Sequence, residues 1–159
     1  MPQAAEVQEA LNKFEARYGQ AALLRRYARA RVREFWIRQV ATLIGSMVVW
    51  HLVNPQVAVF CIIITILGEV LDNASLRNAV TRLDNGAELR PLLWTTGLSA
   101  GLQSATIACC VLAVLTAEVT DEASLIALCF LMAAAVNAGF VMTHHPLSSW
   151  IKLGVLSLV

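Results

Sequence analysis

Polar and apolar positions alternate along this chain in long blocks. Residues 92–117 run without a single charge, and Gln103 is the one strongly polar side chain among them. A helix over that stretch is about 39 Å long at ~1.5 Å per residue, more than a ~30 Å hydrocarbon core requires. A helix in a soluble core rarely stays apolar on every face for so long, so the pattern predicts a membrane span. Three more apolar blocks follow the same logic, over residues 37–53, 57–71 and 125–143, and a fifth begins at residue 148. Asn54-Pro55-Gln56 separates the first two blocks. Pro55 ends one helix and opens the next, because a first-turn proline forfeits no intrahelical bond. Those two blocks are short for a full crossing, and a re-entrant hairpin is the alternative to two spans. The fifth block, Lys152 included, is too short to cross; it reads as a span cut short by the end of the sequence or as a surface segment. The predicted fold is therefore all-α and polytopic: four full spans, the start of a fifth, and an amphipathic basic helix ahead of them. The domains are residues 1–36, cytoplasmic, and residues 37–159, the bundle, truncated at its C-terminal end.

Between the blocks the pattern changes period. Val7, Leu11, Phe14 and Tyr18 recur at helical spacing, with Glu6, Glu9, Lys13 and Arg17 off that stripe and Gly19 placed to break it. Residues 72–90 are polar; Leu76, Val80 and Leu83 fit a short amphipathic helix, and Asp84-Asn85-Gly86 fits a turn. Residues 117–124 form a short acidic loop, and His144-His145-Pro146 closes the fourth block, since a residue before proline avoids helical backbone.

Composition agrees with a membrane protein: 58% hydrophobic and 14% charged residues, against ~25% charged in a typical soluble domain. The net charge of +1 conceals an asymmetry. Lys13, Arg17, Arg25, Arg26, Arg29, Arg31, Arg33 and Arg38 all precede the first block or lie at its edge. Beyond them the basic residues are Arg77, Arg82, Arg90 and Lys152. With the N-terminus inside, every one of these falls on the cytoplasmic side, the positive-inside pattern of an inner-membrane protein. The arginines, set among Tyr27, Phe35 and Trp36, suit a bilayer with anionic headgroups, and nucleic acid is not an expected partner because the basic residues abut a span. The first apolar block starts too far from Met1 for a cleavable signal peptide.

The sequence holds no phosphate loop, no nucleophile with a base and no zinc motif, so it predicts no catalytic, cofactor or metal residue. Cys61, Cys109, Cys110 and Cys129 lie inside apolar blocks without metal-ligand spacing; the topology puts all four in the outer half, where a soft-metal or redox site competes with plain packing. His51 lies at the outer end of one span and His144 and His145 at the inner end of another, too far apart to share an ion. The latter two fit a helix-end cap, cations at a C-terminal dipole. The candidate functional polar residues are Glu69, Asp72, Arg77 and Asn137. Carboxylates at a membrane boundary need solvent or a partner, and Arg77 or the N-terminal arginines would serve; Asn137 and Gln103 suit hydrogen bonds between helices. Gly97, Gly101 and Ala105 give the third span a small-residue face, and Ala138 and Gly139 do so for the fourth; these faces predict packing of those two helices on each other, or a homodimer through Gly97 and Gly101.

The segment ILGEVLDNASLR, closing an early hairpin and followed by an amphipathic stretch and two further apolar blocks, resembles the membrane-embedded N-terminal region of bacterial sensor histidine kinases of alphaproteobacterial type. The resemblance rests on Gly68-Glu69, Asp72 and Arg77 within residues 30–159. It implies a sensory or anchoring module of a two-component signal-transduction receptor whose kinase portion follows elsewhere; His144 and His145 lack the setting of a phospho-acceptor. The alternatives are an accessory or assembly subunit of a larger membrane complex and a small transporter, the last weakened by the scarcity of polar groups along the spans.

Overall fold

The computed structural model describes residues 7–9, 11–12, 14–15, 18–117 and 120–159. Among them the chain is helical with no strand. Residues 7–9, 11–12, 14–15 and 18 are helical; Gly19 then adopts extended backbone and interrupts the path. The six helices that follow are α1 (Gln20–Arg33), α2 (Phe35–Leu52), α3 (Pro55–Asp84), α4 (Leu89–Leu115), α5 (Asp121–Val141) and α6 (Pro146–Leu156). Of these, α3, α4 and α5 are long and apolar enough to cross a membrane. The 18 residues of α2 include Arg38 and Gln39 and the 11 of α6 are too few, so neither counts as a span on length and composition.

Local chemistry sets the helix ends. Asn54 caps α3 by accepting from the Val57 N–H at 2.8 Å, with Pro55 in the first turn. Thr120 caps α5, whose first turn carries Asp121 and Glu122 against the positive end of the helix dipole. At the end of α3, Gly86 takes φ +78°, its N–H bonds the Leu83 carbonyl, and the Ala87 N–H reaches back to Arg82. That paired closure requires a left-handed residue at position 86, which glycine adopts without a Cβ penalty.

One expectation is corrected here. The polar stretch after the second apolar block is not a separate element: α3 runs unbroken from the apolar block through Asp72 to Asp84. No proline or glycine interrupts residues 69–84, and α1 covers the polar end. α1 lies antiparallel to it, with Leu24, Tyr27 and Ala28 buried against Leu76, Ala79 and Leu92, and Arg25 paired to Asp84 at 2.8 Å. Glu34 breaks the line between α1 and α2, and Arg38 Nη1 donates to the Arg31 carbonyl across the break. α3 is thus the central rod, with α1 and α2 along one side and α4 along another.

The small-residue faces pack differently from the pairing expected. A Cβ on Gly97 would meet Leu147, and one on Gly101 would come within 2.5 Å of Ile151, so α6 fills the α4 face. Ala105 is half-buried, Ala138 is buried with its carbonyl bonded by Ser149 Oγ, and Gly139 faces open space. α6 occupies the groove between α4 and α5. The apolar side chains of α2 and α5 that point outward, Trp36, Ile37, Met47, Met132 and Phe140 among them, form a surface suited to lipid.

Candidate functional site

At one end of the bundle, α1, α2, α3 and α4 enclose a charged cluster. Asp72 and Glu69 sit one turn apart on the same face of α3, and both are buried. Arg31 from α1 donates to Asp72 Oδ2 at 3.1 Å and lies 3.9 Å from Glu69 Oε1. Arg38 from α2 holds Glu69 Oε2, Nε donating at 2.8 Å with Nη2 equally close. α4 supplies the remaining donors: Gln103 Nε2 to Glu69 Oε1 at 2.9 Å, and Ser99 Oγ to Asp72 Oδ1 at 3.0 Å. Every carboxylate oxygen therefore has a partner, the condition under which buried charge is tolerated. Burial works against the charge on Arg31, and Tyr27, Asp72 and Glu69 together outweigh it, holding its pKa above the ordinary value.

Lys152 of α6 enters the same region with 4% of its surface exposed and has no ion pair within 4.0 Å and no hydrogen bond among the described residues. A cavity of about 220 Å³ opens beside it, bordered by Arg31, Arg38, Glu69, Gln103 and Asn137. Adjoining this polar cavity lies an apolar one of about 130 Å³. Ala41, Thr42, Thr65 and Phe130 line both.

A second polar knot anchors the start of α6. His145 is fully buried; its Nδ1 accepts from the Ser148 N–H at 3.2 Å, so the ring proton sits on Nε2, 2.8 Å from Thr96 Oγ1, which in turn donates to the Leu92 carbonyl at 2.7 Å. Tyr27 packs its ring edge-on against this imidazole at 5.3 Å. Burial pulls His145 down to about 4, so the neutral ring is the working form. The sequence reading of His144-His145 as a cationic cap ending a helix is thereby corrected: His145 is neutral and begins the next one, while His144 is exposed.

Of the candidate residues, Glu69 and Asp72 meet in this cluster, and Asn137, exposed on its own face, borders the cavity. Arg77 does not belong. It points outward one helical turn beyond Asp72, and Arg31 and Arg38 take the place it was a candidate for. Sequence reasoning missed Lys152, His145, Ser99 and Tyr27; the signal for Lys152 was a lone cation inside an apolar block. Of the cysteines, Cys61 and Cys110 adjoin, Cys110 Sγ lying 3.8 Å from the Cys61 carbonyl oxygen and 3.4 Å from Thr65 Oγ1, while Cys109 and Cys129 are exposed. Among the described residues no group of three His, Cys, Asp or Glu side chains is placed to hold a metal ion.

No protein-family model, curated protein or solved structure matches this chain.

Proposed function

We propose that this chain is the membrane sensory and anchoring module of a bacterial signal-transduction receptor of the sensor histidine kinase type. The observation that supports it is the Arg31–Asp72 pair. It fastens α1, which precedes the bundle, to the end of α3 that projects beyond the apolar span. Two antiparallel helices continuing out of a bundle and joined at its edge transmit small shifts of the bundle to whatever they touch. In this reading α2 adds to α3, α4 and α5 as a fourth crossing, and the 11 residues of α6 pack against them. The N-terminus lies in the cytoplasm of an inner membrane, and the short loops on the far side restrict the stimulus to something membrane-borne, small and permeant, or carried by a membrane partner.

The second reading, an accessory subunit of a larger membrane complex, draws on α5, whose apolar window is only 17% buried and offers its surface to a partner helix or a second copy. The transporter reading loses ground, since Glu69, its best ion ligand, has both oxygens engaged. The deciding experiment is the intact mass and phosphorylation state of the chromosomally tagged protein purified from its native membrane after exposure to ATP. A species well above 17.3 kDa that takes up phosphate on histidine supports the receptor. A species of 17.3 kDa that copurifies with a stoichiometric partner overturns it in favour of the subunit.

A further inference from the structure

We propose that the two adjoining cavities between α2 and α5 form a binding site for an anionic amphiphile, with its oxyanion head beside Lys152 and its apolar tail against the outer cavity. The charge balance points to an anion. Arg31, Arg38 and Lys152 face two carboxylates, Glu69 and Asp72, leaving one cation over. Lys152 is that cation: it is buried, borders the polar cavity and has no ion pair or side-chain hydrogen bond among the described residues. An unpaired ammonium in such a place is costly, and an incoming carboxylate or phosphate removes the cost. Glu69 also borders the cavity, but Arg38 and Gln103 already neutralise and occupy its oxygens, and the Gln103 and Asn137 amides add donors around the head.

The shape adds the tail. The outer cavity is bounded by Val49, Val53, Ala127 and Phe130, and Gly45 leaves open space where a side chain would otherwise stand. α2 and α5 do not pack closely on each other, so the paired cavities lie where a lipid-dissolved molecule could enter from the side. A head toward the inner end and a tail toward the bilayer centre is the orientation of an inner-leaflet amphiphile. The head is a fatty-acid carboxylate or a lipid phosphate; both satisfy the same chemistry. This inference stands on the cavities and the unpaired Lys152 and is independent of the signalling reading.

The test uses the whole chain in phosphatidylcholine nanodiscs, with dodecanoate and dodecyl phosphate as probes and dodecanol and inorganic phosphate as controls. A ligand that binds only the folded form raises the unfolding midpoint. Dodecanoate or dodecyl phosphate is expected to raise it, the larger shift identifying the preferred head, and the controls are not. Lys152→Met replaces the unpaired cation with an apolar chain; it is expected to fold at or above the wild-type midpoint and to bind at least tenfold more weakly. Gly45→Leu fills the outer cavity and is expected to weaken dodecanoate at least tenfold while leaving butyrate unchanged, which keeps the test open should the lysine variant fail to fold. An equal shift from dodecanol, Lys152→Met binding within twofold of wild type, or inorganic phosphate alone reproducing the full effect would each overturn the proposal. Because the readout is binding, it is unaffected by whether the protein carries a kinase.

Discussion

Asp72 is buried, accepts from two helices besides its own, and leaves Arg31 as the nearest uncompensated charge if it is removed. Breaking a buried pair by deleting one partner costs about 3–5 kcal/mol, whereas replacing both with apolar groups is often neutral. Asp72→Asn is therefore expected to lower the unfolding midpoint in detergent sharply, and the double variant Asp72→Leu/Arg31→Met to recover most of it; a double variant as unstable as the single one would show that the pair is not the cause. His145 gives a pH dependence of definite sign. Its pKa is near 4 in the folded chain, below the ordinary 6.5, because burial disfavours the charged ring; Lys152 adds to that and Asp72 works against it. The unfolded chain thus binds the proton first as pH falls. The contribution is complete above about pH 6.5 and is lost toward pH 4, roughly 3 kcal/mol over the window. The structural event is specific: a proton on Nδ1 removes the acceptor that caps Ser148. Thermal melts from pH 7 to 4.5 are expected to slope downward, and His145→Asn, which keeps an acceptor and loses the titration, to flatten the slope. An unchanged slope in that variant would assign the acid sensitivity elsewhere.

At the scale of elements, close approach decides more than propensity. A Cβ on Gly68 would lie 2.7 Å from Thr106 Oγ1 and 2.8 Å from its Cγ2, so the Thr106 side chain of α4 packs directly on the α3 backbone there. Gly68→Ala is expected to cost about 1–3 kcal/mol, the usual range for forcing a methyl into a packed interface, with Thr106→Ala restoring part of it. Gly139→Ala, with nothing within 4 Å, is expected to be neutral or slightly stabilising because alanine is the better helix former; equal losses at both positions in thermal melts would contradict the contact. The contrast shows what was legible beforehand. Hydropathy alone located the apolar stretches of all four long helices to within a few residues, and Asn54-Pro55 and Asn85-Gly86 announced their turns through their own backbone chemistry. Which face of a membrane helix meets which neighbour was not legible, since every face is apolar and lipid is as acceptable as protein. α6 therefore took the Gly97 and Gly101 face that α5 was expected to cover. The polar end of α3 read as a separate short amphipathic helix for a related reason: its partner stripe, Leu24, Tyr27 and Ala28, lies some fifty residues earlier among arginines that looked like headgroup ligands. Glu69 and Asp72 were legible as carboxylates in need of partners, but the identity of those partners depended on α1 folding back along α3.

For the whole molecule the number of crossings turns on α2. By composition α2 falls short of a span, with Arg38 and Gln39 near its start. An isolated arginine in a span costs about 2.5–3.5 kcal/mol on insertion scales. Arg38 is not isolated, because Glu69 and the Arg31 carbonyl hold its guanidinium at 2.8 Å. That pairing offsets the penalty, and it also joins α2 to the neighbouring helix α3. The apolar side chains Ile37, Val40, Leu43, Ile44 and Met47 then face outward as lipid contacts along the helix. A crossing α2 puts residue 20 and residue 56 on opposite sides of the membrane; a helix lying along the surface or turning back puts them on the same side. In a background without the native cysteines, single cysteines at positions 20, 56 and 85 are expected to divide cleanly under an impermeant maleimide applied to intact spheroplasts. Position 56 labels at once, and positions 20 and 85 label only after the membrane is opened. The opposite order would reverse the orientation read from the arginine distribution, and labelling of 20 and 56 from one side would reduce the bundle to the three crossings of α3, α4 and α5. Arg38→Glu adds a test of cause: if the ion pair to Glu69 is what makes α2 insertable, setting two carboxylates against each other at the inner edge should leave position 56 unlabelled in intact cells.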